Sequence, residues 1–274
     1  MCDKFIASLK KLGVKNGDIL YISSDFTLFL ADLADTYGIE NINYQLNTLI
    51  DNLQELVGNN GTILFPIFSW EFNKGKVFDI KNSKGSTGAI SNWILQNRKD
   101  FLRTKHPMYS FMVWGGKDAK SLANINNVDA FGQFSPFGYI HKNNAKMIFF
   151  DISVRKGITF VHYVEETLQV PYRYFKSFCS DYIDENGVKS KKSYVMYVRD
   201  LAIQSHEYLS DEFFENKGIL SKADFDKHSI KIISCKNAFN VMQDDFLNNF
   251  GKNMYIFDNY TIDWTKGSTH SDEI

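Results

Sequence analysis

The chain has no paired cysteines. Its three, Cys2, Cys179 and Cys235, lie far apart and form no CxxC, which argues against a zinc site and against a disulfide framework. Reduced thiols in a cytoplasmic protein are the expected state. Cys179, within SFCSDY, has no base close to it in sequence and reads as a buried structural thiol rather than a nucleophile. Charge of one sign is not in excess either: 31 Lys plus Arg stand against 32 Asp plus Glu, so no basic footprint for nucleic acid is expected. Long apolar runs are missing. No stretch approaches the roughly 20 residues of a membrane span, and the opening MCDKFIASLKKLGVKNGD holds no apolar run of signal-peptide length. Several catalytic signatures are absent as well. Without GxxxxGKS or GxxxxGKT, P-loop phosphoryl transfer is not expected, and without GxGxxG after the first strand a dinucleotide dehydrogenase is disfavoured. There is no HExxH, so no metal is expected, and no GxSxG nucleophile elbow.

What remains is an ordinary globular composition, 44% hydrophobic and 23% charged, in 274 residues, enough for one sizeable core. Phe5, Ile6, Leu9 and Leu12 follow the helical period, and Gly13 closes that segment. DILYISSDF then reads as a buried strand. Residues 41–57 carry Leu46, Leu49, Ile50, Leu53 and Leu56 on one helical face, and after Asn59-Asn60-Gly61 comes a second strand, TILFPIF. Strand, helix, turn and strand make a βαβ unit. Ligands of such sheets lie at the C-terminal strand ends, here Ser23-Ser24-Asp25 and Phe68-Ser69-Trp70.

Further along, residues 71–87 read as a polar loop, GAISNWILQN and 117–126 as helices, SFMVWG and KMIFFDI as strands, and SPFGYI as a rigid turn. After Pro171, RYFKSFCSDYI and KKSYVMYVRD form a hairpin around Asp184-Glu185-Asn186-Gly187, whose Asn-Gly pair is the turn signal. A helical stretch, LSDEFFENKG, a strand, SIKIISC, and a late helix, NAFNVMQDDFLNNFG, follow. The expected fold is α/β: an α/β/α sandwich with a central mostly parallel sheet and an inserted antiparallel hairpin. Residues 1–264 are expected as one domain and 265–274 as a flexible tail.

The stretch TFVHYVEE, residues 159–166, places His162 just beyond the KMIFFDI strand at the start of a helix. Positions i, i+3 and i+4 share a helical face, so His162 can meet Glu165 or Glu166. A carboxylate beside an imidazole orients the ring and makes it a better base. Such triplets also occur on ordinary surface helices. A general base at a helix start beside polar strand ends suits acyl transfer, in which a base frees an amine or hydroxyl to attack a carbonyl.

GDILYISSDF, GTILFPIFS, TKHPMYSFMVWG, SPFGYI, TFVHYVEE and YIDENG, in this order, resemble the aminoglycoside 3-N-acetyltransferase family from about residue 10 to about residue 250. The resemblance implies an α/β/α fold that binds acetyl-CoA and moves the acetyl group directly to an amine of an amino sugar, either an aminoglycoside or a surface-polysaccharide precursor. It implies that the histidine of T-x-x-H-x-x-E, here Thr159, His162 and Glu165, is the catalytic base with the i+3 carboxylate as its partner. An imidazole, with an unperturbed pKa of about 6.5, suits that task. Ser24, Asp25, Thr27, Ser69, His106, Ser110 and Thr159 are the expected cofactor contacts, with Thr159, a helix-start N–H or Ser24 as candidate oxyanion donors. Trp70, Arg173 and Tyr197 are the expected acceptor contacts, with Tyr194 beside them. Arg103 and Arg173 are candidates for a CoA phosphate or an acidic substrate group. His141, His206, His228 and His270 read as surface or structural residues.

The sequence also departs from the family pattern. Ser23 stands where the first-strand motif has histidine, Tyr109 replaces the second histidine of H-P-T-H-S, and Lys156-Gly157-Ile158 replaces Asp-Ser-Asn. These changes bear on the acceptor more than on the cofactor. Two other readings stay open: a His/Glu-dependent amidase or esterase without CoA, and a binding protein on the same fold. Neither a nucleic-acid nor a membrane partner is expected, and homodimer formation is left open.

Overall fold

A computed structural model describes residues 1–268. The first half runs α1 (Cys2–Lys11), β1 (Ile19–Ser24), α2 (Thr27–Tyr37), α3 (Ile42–Val57), β2 (Thr62–Phe68), β3 (Phe78–Asp79), α4 (Ala89–Asn97), β4 (Leu102–Arg103), β5 (Tyr109–Gly115) and α5 (Lys117–Asn124). The second half runs α6 (Pro136–Lys142), β6 (Lys146–Phe150), α7 (Val154–Gly157), α8 (Val161–Leu168), β7 (Arg173–Ile183), β8 (Lys189–Arg199), β9 (Ser205–Glu207), α9 (Asp211–Asn216), β10 (Ser221–Phe225), β11 (His228–Ser234), α10 (Cys235–Asn249) and β12 (Tyr255–Phe257).

The main sheet has the order β10-β11-β6-β1-β2-β5-β4. β1 pairs in parallel with β2 and β6, with Leu20 opposite Ile63 and Ile22 opposite Ile148. The outer pairings are antiparallel. Each flank reverses twice, so β10, β6, β1, β2 and β4 share one direction, against β11 and β5. Side-chain alternation divides the core between the two faces of this sheet. Leu20, Ile22, Ile63, Phe65, Ile148 and Phe150 point to the face covered by α1 to α4. Tyr21, Leu64, Met147 and Phe149 point to the face covered by α5, α6, α8 and α10. Cover on both faces is why the central strands are almost continuously apolar.

The inserted hairpin is β7–β8, paired from Arg173 opposite Arg199 to Ile183 opposite Lys189. At its turn the Asp184 carboxylate accepts the N–H groups of Asn186 and Val188 at 2.8 and 2.9 Å, and Gly187 takes φ 80°, a conformation open to glycine without strain.

Some elements differ from the sequence reading. α2 is not among the expected helices: its first turn has neither an acidic residue nor a capping side chain. SPFGYI is the start of α6 rather than a turn, with Pro136 in its first turn and the Ser135 hydroxyl accepting the Gly138 N–H at 3.3 Å. β10 pairs with β11 through Ser221–Phe225, a segment with only two buried side chains. Cys179, expected to be buried, is exposed on β7, whereas Cys2 and Cys235 are buried. Residues 269–274, most of the expected tail and the site of His270, lie outside the described residues. Just before them the Ser268 hydroxyl donates to the Arg173 carbonyl at 2.8 Å. Among the described residues no helix is long and apolar enough to cross a membrane.

Phe150 is fully buried, with its ring centroid 4.9 Å from Phe5, 5.0 Å from Phe26 and 5.4 Å from Phe29. It ties β6 to α1 and α2. Phe150→Ala is expected to cost about 3–5 kcal/mol, read as a lower urea midpoint at unchanged slope.

Candidate active site

β1, β2 and β6 end together at Ser24, Phe68 and Phe150. From β6 the chain passes through α7 and the turn at Ile158–Phe160 into α8, which sets His162 beside those strand ends. The turn is held by the Ser23 hydroxyl, which donates to the Gly157 carbonyl at 2.8 Å. A side chain at Gly157 would meet the Phe149 ring and the Ser23 Cβ, so the glycine permits this close approach of the turn to β1.

His162 Nδ1 lies 2.7 Å from Glu165 Oε2. The same oxygen takes an N–H from Arg173 Nη2 at 2.9 Å, and the Tyr172 hydroxyl donates to the other oxygen, Oε1, at 2.7 Å. Arg173 Nη2 is also 3.1 Å from His162 Nδ1. If Nδ1 were a bare acceptor it would face Glu165 lone pair to lone pair at 2.7 Å. Nδ1 therefore carries a proton donated to Glu165, and Arg173 serves the carboxylate rather than the ring. Nε2 is left with its lone pair on a side chain that is 25% exposed, over a carboxylate with no exposure at all.

Burial alone would raise the Glu165 pKa, but Arg173, His162 and Tyr172 outweigh it and hold the group down at about 2. Burial would lower the Arg173 pKa, and the charge on Glu165 reverses that, leaving it above the ordinary arginine value. Burial, then the nearby Glu165 charge, push the Tyr172 hydroxyl well up, so it stays a donor. Arg173 is fixed further by Nη1 on the Tyr197 carbonyl at 3.1 Å, and the Tyr197 hydroxyl donates to the Val170 carbonyl at 2.8 Å. Glu166, the i+4 carboxyl, is driven up to about 10 by burial and by its contact with Asp129. It is a neutral group facing away from this network.

The cleft has two lobes. One, of about 510 Å³, is lined by His162, Thr159, Arg155, Lys156, Glu207 and Tyr255, among others. The second, of about 380 Å³, is lined by the strand-end residues Ser24, Asp25 and Thr27 and by Gly88 and Ala89 at the start of α4. Ile152, Lys156 and Thr159 line both, so the lobes adjoin. Tyr21 also lines the second lobe, with its buried hydroxyl beside the Ser23 and Thr159 side chains.

A profile of aminoglycoside 3-N-acetyltransferases matches residues 34–246. The chain belongs to this family, and so to the N-acetyltransferases. Comparison with curated protein sequences found no match. Among solved structures, the YokD protein from Bacillus subtilis superposes with a TM-score of 0.71 at 20% identity, over 92% of this chain and 95% of that one. AAC-IIIb in binary complex with CoASH gives 0.69 at 16% identity, over 89% and 96%. AAC-VIa bound to sisomicin gives 0.69 at 18% identity, over 90% and 97%. At these identities the likeness is one of fold.

Within this acetyltransferase fold the sequence-derived candidates separate into three groups. Ser24, Asp25, Thr27, Thr159 and His162 line the cleft, with Glu165 directly beneath it. Ser69, His106 and Ser110, expected against the cofactor, are buried in internal contacts instead. His106 accepts the Tyr109 N–H on Nδ1 at 3.2 Å, and burial drags its pKa to about 3. Ser110 bridges Arg103 Nε and the Ile67 carbonyl, and the Ser69 hydroxyl faces the Glu71 N–H. Arg173 and Tyr197, expected against the acceptor, point inward and hold Glu165. Trp70 packs on the core and reaches the Tyr109 hydroxyl, one ring short of Phe131, which meets His162 edge-on at 5.4 Å. Tyr194 stacks on Tyr182 and meets His106. The sequence reading missed Tyr172, Arg155, Lys156 and Glu207. Tyr172 leaves no motif signal beyond lying seven residues after Glu165, and Glu207 comes from the distant β9.

The depressed pKa fixes the sign of an acid effect. The folded value of about 2 lies below the ordinary 4.5, so the stabilisation held by Glu165 is complete above about pH 4.5 and is lost as pH falls toward 2. Glu165→Gln is expected to be destabilised near neutral pH, because Arg173 is left buried and unpaired. Its deficit against the native chain should narrow from pH 4.5 downward. Denaturant midpoints measured across that range check this.

Proposed function

We propose that the protein is an acetyl-CoA-dependent N-acetyltransferase that uses His162 Nε2 as general base on the amine of an amino sugar. The observation that carries this reading is the 2.7 Å contact of His162 Nδ1 with the buried Glu165 carboxylate, which assigns the Nδ1 proton to that contact and leaves Nε2 beside a two-lobed cleft.

The cleft suits the co-substrate on its own features. The strand-end lobe offers the hydroxyls of Ser24 and Thr27 and the N–H groups at the start of α4. These are donors for a pantetheine arm. The bound group supplies an acetyl activated as a thioester. Thr159 lines both lobes; on this reading its hydroxyl donates to the acetyl oxygen, and the acceptor amine sits in the lobe lined by His162. His162 Nε2 takes a proton from the acceptor nitrogen, and the resulting imidazolium is stabilised by Glu165 through Nδ1–H. Arg173 and Tyr172 keep Glu165 ionised and in place. The nitrogen bonds to the thioester carbonyl carbon, the carbon–sulfur bond breaks, and the departing sulfur takes up the proton held on the imidazolium Nε2 and leaves as the thiol, with no acyl-enzyme.

The charge of the His162 lobe bears on the acceptor. It carries Arg155 and Lys156 against Glu207, so a purely polycationic acceptor meets repulsion there. An amino sugar that also bears an anionic group, such as a nucleotide-linked precursor of a surface polysaccharide, is the second reading.

Thiol release with acetyl-CoA across aminoglycosides and nucleotide-linked amino sugars tests both. His162→Ala is expected to lose about 10²–10⁴ in kcat/KM, and the native rise of activity with pH is expected to vanish with it. A hydrolase would cleave amides or esters with no CoA present. A binding protein would saturate with ligand and turn nothing over, before and after the substitution.

A further inference from the structure

At the β4 edge of the sheet, away from the cleft, lies a cavity of about 520 Å³. It shares no lining residue with either lobe of the His162 site. Its position is set by the end of α4, the short β4, the end of α5 and the loop after β3.

Arg103 is the informative group. It lines this cavity yet is only 7% exposed. Nε donates to the Ser110 hydroxyl at 3.0 Å, and Nη1 donates to the carbonyls of Ile80 and Ser83. The guanidinium lies 4.7 Å from the Phe78 ring centre. All of these partners are neutral. Among the described residues no carboxylate is within ion-pair distance of Arg103, and Nη2 has no hydrogen-bond partner. Asp79 acts on the guanidinium through space without pairing with it; burying the group with no direct ion pair and with Nη2 unused is costly, and an anion in the adjoining cavity offsets both.

The rim has the matching sign. Lys81 and Lys99 are exposed and, among the described residues, have no carboxylate within ion-pair reach. Lys105 is answered by Glu185 at 3.4 Å, and Arg98 by Asp51 and Asp100. The walls between these cations are apolar, made by Leu95, Phe101, Leu102 and Met112. A bare inorganic ion would leave those walls unused.

We propose that this cavity is a second binding site, for an organic anion that places a phosphate or carboxylate by Arg103, Lys81 and Lys99 and an apolar body against Phe101 and Met112. The site stands independently of the acetyl-transfer reading. Its ligand has two sources, a separate small metabolite or the phosphate-bearing end of the cofactor itself, and both present the same chemistry.

Isothermal titration calorimetry with phenyl phosphate, and with benzyl alcohol as the neutral control, tests it on the full chain. Phenyl phosphate is expected to bind at least tenfold more tightly than the control and to weaken roughly tenfold in the double variant Lys81→Glu/Lys99→Glu. His162→Ala is expected to leave this binding unchanged. Arg103→Met should abolish it where that variant folds, and the double variant, altered only on the exposed rim, decides where it does not. If CoA competes with phenyl phosphate and the double variant raises the KM for acetyl-CoA at unchanged kcat, the site holds the cofactor's phosphate end. If CoA does not compete, it holds a separate anion. Either result upholds the site. Binding no tighter than benzyl alcohol, or binding indifferent to the charge reversal, overturns it.

Discussion

Glu165 has no contact with solvent, and donors from three side chains converge on it: His162 and Arg173 on one oxygen, Tyr172 on the other. A carboxylate taken out of water this completely survives only because a guanidinium has been taken out beside it. The pair then dictates the rest of the site. It sets which nitrogen of His162 carries the proton, and it fixes the ring plane. It also pins the first residue of β7 to the second turn of α8, which couples the inserted hairpin to the helix that carries His162. The Tyr197 carbonyl, from β8, and the Ser268 hydroxyl, from the far end of the chain, both settle on Arg173. Segments remote in sequence are thus tied to one buried charge.

The sheet supplies the other half of the geometry. Because β6, β1 and β2 run in parallel, their ends form a common edge, and the chain leaving β6 must cross it before entering α8. The Ser23–Gly157 contact draws that crossing against β1. It also joins two of the positions that the sequence reading sets apart from the pattern of the family it resembles, Ser23 and Lys156-Gly157-Ile158. The two departures touch one another. A small hydroxyl on one side and a residue without a side chain on the other make a compatible pair.

What could be read from the sequence follows from how local each signal is. The βαβ unit, the hairpin with its Asn-Gly turn and the i to i+3 spacing of His162 and Glu165 are written in short windows, where period and turn chemistry suffice. α2 escaped because only two residues separate it from β1, and there Asp25, whose carboxylate accepts the Thr27 N–H at 3.0 Å, reads as part of a polar strand end rather than as a helix start. α6 escaped because proline and glycine in SPFGYI read as a turn, although serine before proline is also a helix start. The inward roles of Arg173 and Tyr197 escaped for a different reason. An arginine in a sequence is by default a solvated charge or a ligand contact, and only the fold reveals that a buried carboxylate claims it. His106 and Ser110 show the converse: polar residues beside a strand end look like site residues, and the fold spends them on backbone groups.

The groups that hold His162 and the groups that line the lobe in front of it meet at Tyr255, which lines the lobe and lies beside both Glu165 and Arg173. Glu165, Arg173, Tyr172 and Tyr197 face the interior, while Arg155, Lys156 and Glu207 face the lobe and do not touch that interior network. On the proposed function, substitutions among the latter would alter which molecule is admitted while leaving the His162–Glu165 contact in place. On that reading, a scaffold divided in this way can change the molecule it admits while keeping its proton acceptor.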